Sequence, residues 1–354
     1  MSKQGILIVS FGTSYPETEE KTIKPITRKA RKVFTDSEVR GAFTSRMIIK
    51  KLALKGRRVP TPEEAMEEMV QDGFTHVIVQ PLHFLAGHEY QKKIVGPLTP
   101  FKERLEGFII GKPLISDEED YNRAADLIGE ISASLGGEKL VLMGHGTDHP
   151  SDRMYERLQA KLDTKNINAL IATVEGETTL EAVLPRVKEG GAKRVHLHPL
   201  MLVAGDHAVN DMAGDSDDSW MSILKAEGIE AVPHLKGLGE YFPLRRIVFN
   251  HIRDSRKELY RERYGKMTAA AARKKYPAPR EELPWYPTVY EEQCTGCGLC
   301  YLFCPKEVYV YNHENRVVRA KYPYSCVVNC SKCADLCPHG AITFPEEKIK
   351  VTEE

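Results

Sequence analysis

GHGTDHP, Gly144 to Pro150, ends the apolar run KLVLM, and a near copy, SFGTSYP (Ser10 to Pro16), ends the run GILIV. The copies share Gly-Thr and a proline three residues on, but His145 stands where the first copy has Phe11. A short continuous apolar run that stops at a glycine-bearing loop reads as a buried strand of a parallel sheet. A second pair follows in the same order. QPLHFLAGHEY (Gln80 to Tyr90) and HPLMLVAGDHA (His198 to Ala208) keep Pro-Leu in register and Ala-Gly five residues after the proline. Two matched loops in one order imply a duplicated unit, two similar α/β halves facing one another and dividing near residues 130–138.

The runs GILIVSF, HVIVQPL, KLVLMG, NALIATV and RVHLHPL alternate with charged segments such as TEEKTIKPITRKARKVF. That alternation predicts βαβ units around parallel sheets, an α/β fold. The expected organisation is a first lobe over residues 1–130, a second over 131–255, a connector over 256–285 and a small α+β module over 286–354. The connector begins with the basic, helical-looking RDSRKELYRERYGKMTAAAARKKY. It ends with PAPREELPWYP, four prolines in eleven residues, a semi-rigid extended pattern.

Fifty acidic and fifty basic side chains cancel over the 354 residues. No global field favours nucleic acid or an anionic membrane. No apolar run reaches the length of a membrane-spanning helix. MSKQGILIVSFG reads as a first strand and not as a leader, so a cytoplasmic location is expected.

All eight cysteines lie between Cys294 and Cys337. A disulfide scaffold needs an oxidising compartment, so metal is the better reading. Cys294-x2-Cys297-x2-Cys300-x3-Cys304-Pro305 is the bacterial run for a 4Fe–4S cluster, and its fourth cysteine ligates the other cluster of a pair. Cys326-x3-Cys330-x2-Cys333-x3-Cys337-Pro338 repeats it with one extra residue in the first gap. By that rule Cys294, Cys297, Cys300 and Cys337 hold one cluster, and Cys326, Cys330, Cys333 and Cys304 hold the second. Two tetrahedral zinc sites are the competing reading. The module resembles a two-cluster bacterial ferredoxin along its whole length, and VYVYNHENRVVRA between its halves reads as a hairpin.

His145, Glu175 (in ATVEG) and His207 (in VAGDHAVNDMAGD) all fall at the C-terminal ends of expected parallel strands, where open α/β sheets build sites. The first-half positions matching the two histidines hold Phe11 and Glu89. Two imidazoles and a carboxylate suit cobalt, nickel, iron or zinc. The plain alternative for each histidine is a hydrogen-bonded loop residue. Asp206, next to His207, is a candidate partner for that ring.

SFGTSYPET, FTSRM, QPLHFLAG, GHGT, TVEG and HPLMLVAGDHAVNDMAGD resemble the anaerobic sirohydrochlorin cobaltochelatase family, the class II tetrapyrrole chelatases, across residues 1–255. The resemblance implies two facing α/β lobes with a cleft for the macrocycle. It implies metal ligands at His145, Glu175 and His207. Metallation must remove two pyrrole protons and imidazole titrates near working pH, so His145 and His207 are the catalytic candidates, with His145 as proton acceptor. The implied activity is insertion of cobalt(II) into sirohydrochlorin, towards cobalamin. Iron or nickel insertion is an alternative within the same chemistry. An electron-transfer protein with a non-catalytic tetrapyrrole- or metal-binding half is an alternative outside it.

Sirohydrochlorin is a polycarboxylate, so Gly12, Thr13, Ser45, Arg46 and His83 are candidate substrate contacts. Lys50, Lys51, Lys55, Arg57 and Arg58 read as a solvated helix face. His88 carries weaker support as a rim residue. His196 and His198 read as structural, and Trp220 as a helix anchor. A redox partner protein and a homo-oligomer are both compatible with the chain.

Overall fold

The computed structural model describes residues 3–261, 274–312 and 315–353. The chain packs as two units, residues 1–28 with 36–251 and residues 29–35 with 252–354.

The first unit contains two four-stranded parallel sheets. In the first lobe β1 (Gln4–Ser10), β2 (Glu38–Phe43), β3 (His76–Pro81) and β4 (Gly107–Ile110) lie in the order β2-β1-β3-β4. In the second lobe β5 (Leu140–Gly144), β6 (Ala169–Thr173), β7 (Arg194–Pro199) and β8 (Glu230–Pro233) repeat it as β6-β5-β7-β8. The expected α/β class and duplication are therefore present in the topology itself.

The repeat extends to single hydrogen bonds. Leu82 N–H donates to Val9 O and Leu200 N–H to Met143 O, each at 2.7 Å. Ser45 N–H donates to Phe11 O and Glu175 N–H to His145 O. Thr13 and Thr147 side chains each accept from the backbone two residues on, at 3.2 Å. Ser45 is thus the first-lobe counterpart of Glu175, although nothing in the two sequences around them matches.

Each lobe has its own core. Leu7, Val9, Val77 and Val79 pack under Met66, Met69, Ile94 and Phe101 in the first. Val141, Met143, Leu170 and Leu197 pack under Leu180, Val187, Trp220 and Leu224 in the second, so Trp220 anchors its helix as expected. Burying one such aliphatic or aromatic side chain stabilises by about 1.5–3 kcal/mol. Helix starts are fixed by capping boxes at Thr61 and Asp117.

β2, β4 and β8 are edge or half-buried strands, with burial too patchy to produce an apolar run. Arg40 lies on β2 and pairs with Glu38 and Asp72. Arg57 and Arg58 follow the helix Arg46–Ala53 and pair with Glu19 and Glu68.

In the second unit, Thr288–Val289 pairs with Ile342–Thr343 and Tyr309–Asn312 with Val317–Ala320, the expected hairpin. Two short helices, Leu299–Phe303 and Lys332–Leu336, complete it. The proline-rich stretch, which reads as a connector in the sequence, places Leu283 and Trp285 in this unit's core. Residues 262–273 of the basic stretch lie outside the described residues. Among the described residues no helix is long and apolar enough to cross a membrane.

Candidate functional site

His145 follows β5, Glu175 follows β6 and His207 stands just before the π-helix Ala208–Met212 after β7. The strand order sets β5 between β6 and β7, so three loops from neighbouring strands meet at one rim. One ligand atom from each of the three side chains lies within 4.8 Å of the others, the only such group among the described residues. The imidazoles meet edge to face with ring centroids 4.8 Å apart. His145 Nδ1 is 3.7 Å from Glu175 Oε2.

The loops are held close by glycine. Gly146 has φ +78°, and a Cβ there would stand 2.2 Å from Gly176 N. Only two glycines let the His145 and Glu175 loops approach this closely. Asp152 ties the same two loops, accepting from Thr147 N (2.9 Å) and Glu177 N (3.3 Å). Gly146 N–H donates to the hydroxyl of Tyr155, which burial pushes up to about 12.

Both rings have Nδ1 engaged. His145 Nδ1 is 2.9 Å from Gly146 O, and His207 Nδ1 is 2.5 Å from Asp211 Oδ2. A donor at Nδ1 fixes the tautomer that leaves Nε2 free as a ligand. The partner of His207 is therefore Asp211 and not Asp206. Helical spacing brings residues four apart onto one face, whereas the adjacent residue turns away. Asp206 instead accepts from the Tyr15 hydroxyl of the first lobe at 3.2 Å.

The lobes meet rim to rim through related contacts. The Tyr15–Asp206 pair is the counterpart of His149 and His88, whose rings lie 4.9 Å apart. His88 Nε2 is also 3.3 Å from Asp148 Oδ1. The first-lobe rim offers an exposed apolar ring, Phe11, where the second offers His145.

The other candidate contacts divide. Arg46 is exposed at the first turn of its helix, while Ser45 is buried and caps that helix by accepting from Ile48 N. Thr13 is buried in its own turn, and Gly12 (φ +97°) packs against the Phe43 ring. His83 Nε2 is 3.3 Å from Thr44 Oγ1, its Nδ1 is buried with no partner, and burial holds the ring down at about 4. His198 is a buried structural residue between Pro199 O and the Tyr241 hydroxyl. His196 bonds His234.

The cysteines sort by space and not by run. One hollow is lined by Cys294, Cys297, Cys300 and Cys337, with Val289, Val318 and Ile342 around them. Burial pushes the Cys326 thiol up to about 12 and Cys333 up to about 11, with the Cys330 and Cys304 sulfurs as neighbours of both. The extra residue before Cys330 is absorbed by Asn329 at φ +65°, whose amide bonds Ile349 N and O. Crowded, desolvated thiols of this kind ionise when soft metal neutralises them, so the donor set fits iron–sulfur clusters.

Residues 4–257 match the family model described as cobalt chelatase (CbiK), and residues 293–342 match a 4Fe-4S dicluster domain. A sirohydrochlorin cobaltochelatase of Salmonella typhimurium is 38% identical over 254 residues, 71% of this chain and 95% of that protein. The sirohydrochlorin cobaltochelatase CbiKC of Nitratidesulfovibrio vulgaris is 36% identical over 246 residues, 68% of this chain and 86% of that protein. The solved structure of SirB from Bacillus subtilis with Fe3+ shares the fold at TM-score 0.51 and 18% identity, covering 72% of this chain and 95% of that one.

Proposed function

The chain belongs to the cobalt chelatase family and carries a 4Fe-4S dicluster domain at its C-terminal end, and from that premise we propose that it inserts cobalt(II) into sirohydrochlorin at the rim of its second lobe. The observation that carries this reading is the convergence of His145, Glu175 and His207 within 4.8 Å.

Cobalt enters as substrate. Two neutral imidazoles and one carboxylate hold a divalent ion while leaving positions open for water or pyrrole nitrogen. Glu175 offsets part of the ion's charge. Metallation exchanges one divalent ion for two pyrrole protons, so the site must take up protons as it gives up the ion. His145 is the acceptor of the first. Its Nε2 becomes a free base beside the ring, and imidazole titrates near neutral pH. His207, braced by Asp211, remains the holding ligand, and the second proton leaves to solvent at this open rim.

On the facing rim, Phe11 offers a ring surface for the macrocycle, and Gly12 and Thr13 allow close backbone approach. Arg46 supplies a cation for a substrate carboxylate. His83 stays neutral and supports the first-lobe rim from behind through Thr44.

In the C-terminal unit, Cys294, Cys297, Cys300 and Cys337 are assigned to one 4Fe–4S cluster and Cys304, Cys326, Cys330 and Cys333 to the other. When bound, these clusters supply one-electron transfer, and their role here is to pass electrons to the metallated product or from its reduced precursor.

The test is anaerobic mixing of protein, sirohydrochlorin and cobalt(II), followed by visible absorption, with iron(II) and nickel(II) in competition. Metallation no faster than in buffer ends the enzyme reading. Preference for iron or nickel ends the cobalt assignment. Cys326→Ser is expected to leave insertion intact and to remove the coupled redox step.

A further inference from the structure

We propose that Tyr309 holds the iron–sulfur centre at Cys304, Cys326, Cys330 and Cys333 at a higher reduction potential than its neighbour, so that this centre is reduced first. The inference rests on the reading above that the unit carries two such centres.

Tyr309 opens the hairpin strand Tyr309–Asn312 and is 3% exposed. Its hydroxyl donates to Cys333 Sγ at 2.9 Å. Two residues on, on the same face of the strand, Tyr311 points its hydroxyl at the other cysteine loop. There it donates to a backbone carbonyl, Gly296 O, at 3.0 Å. The two phenols are thus related in position and unlike in target: one reaches sulfur and one reaches peptide.

Each group has a cation on a ligand residue's carbonyl: Lys29 donates to Cys297 O at 2.6 Å, and Arg280 donates to Cys326 O from Nε and Nη2, each at 3.0 Å. Trp285 adds its indole N–H to Cys330 O at 3.2 Å, so these donors favour the same centre as the phenol. They reach carbonyls, whereas Tyr309 reaches a ligand sulfur itself. One-electron reduction adds a full negative charge spread over the cluster and its thiolates. A hydrogen bond to a ligand sulfur becomes stronger in that state, which raises the potential. Burial of Tyr309 keeps water from competing for the same sulfur.

The expected effect is about a tenfold change in the ratio of reduced to oxidised centre at a given potential, which for one electron is about 59 mV. The full chain is purified anaerobically, its iron and sulfide are measured, and a dithionite titration is followed by electron paramagnetic resonance. Two midpoint potentials are expected. In Tyr309→Phe the higher one falls by about that amount and the lower one stays, while Tyr311→Phe leaves the higher one in place. An unchanged higher potential in a Tyr309→Phe chain with both centres loaded overturns the inference and leaves the two-centre reading standing. A wild-type chain with iron and sulfide for fewer than two centres refutes that reading, and the inference with it. Should Tyr309→Phe fail to load, the wild-type chain in deuterated water decides. Coupling to a hydroxyl deuteron confined to the centre reduced first supports the assignment, and its absence there refutes it.

Discussion

Replacing Asp211 by asparagine removes one charge and keeps the size and one acceptor oxygen of the side chain. In the native arrangement His207 Nδ1 and Asp211 Oδ2 are 2.5 Å apart, with 33% and 45% of the two side chains exposed. Losing an outer partner of a ligating histidine costs 10–100-fold in metal affinity, or about 1.4–2.7 kcal/mol. Exposure places this pair at the lower end, because water screens the carboxylate and partly replaces it. The expected result is therefore about a tenfold weaker cobalt(II) affinity, read by calorimetry without macrocycle, with a matching fall in insertion rate at limiting cobalt. At saturating cobalt the rate recovers, since the ligand itself is intact. Asp206→Asn is the control. Its carboxylate meets Tyr15 at an exposed site, so cobalt affinity should stay within about twofold of wild type. Equal losses in the two variants, or no loss in Asp211→Asn, would refute the tautomer argument for His207.

Direct removal of a ligand is expected to be harsher: His145→Ala or Glu175→Gln should lower insertion by a factor of a hundred or more, on the order of 3 kcal/mol, with the melting temperature nearly unchanged because both side chains are partly exposed. Gly146→Ala should behave in the opposite way and lose stability first, by about 2 kcal/mol or more, because a Cβ at φ +78° meets Gly176 N at 2.2 Å; chemical denaturation reads this, and wild-type stability would contradict it. Burial holds His83 and His198 at about 4, below the 6.5 of a free imidazole. The unfolded chain therefore binds more protons between those limits, and stability falls as pH is lowered through 6.5. Urea titrations at pH 7 and pH 5 should differ by about 2 kcal/mol for the buried His198, a difference that His198→Gln removes.

Much of the fold was legible because five of the eight strands of the first unit are buried on both faces. GILIVS, HVIVQP, LVLMG and ALIAT show that burial as apolar runs, and RVHLHP shows it with two buried histidines among apolar residues. β2, β4 and β8 were not, since these three strands keep half-buried or exposed positions that break the run, whereas β6, also at an edge, is buried throughout. The convergence of His145 and His207 was legible through the repeat, where they stand against Phe11 and Glu89, and that of Glu175 through its place at a strand end. The kinship of Ser45 with Glu175 was invisible, because it lives in backbone bonds and not in side chains. Asp206 was the candidate partner of His207 and Asp211 is the observed one for a related reason: adjacency in sequence is not adjacency on a helical surface, and the i, i+4 spacing in HAVND carried the signal. Likewise PAPREELPWYP has a connector's composition, yet Leu283 and Trp285 are apolar enough to be drawn into a core.

The two rims share one backbone pattern but only one carries imidazoles. Under the proposed function, a twofold scaffold with one-sided chemistry means one ion per chain and one direction of delivery, set by the asymmetry between Phe11 and His145.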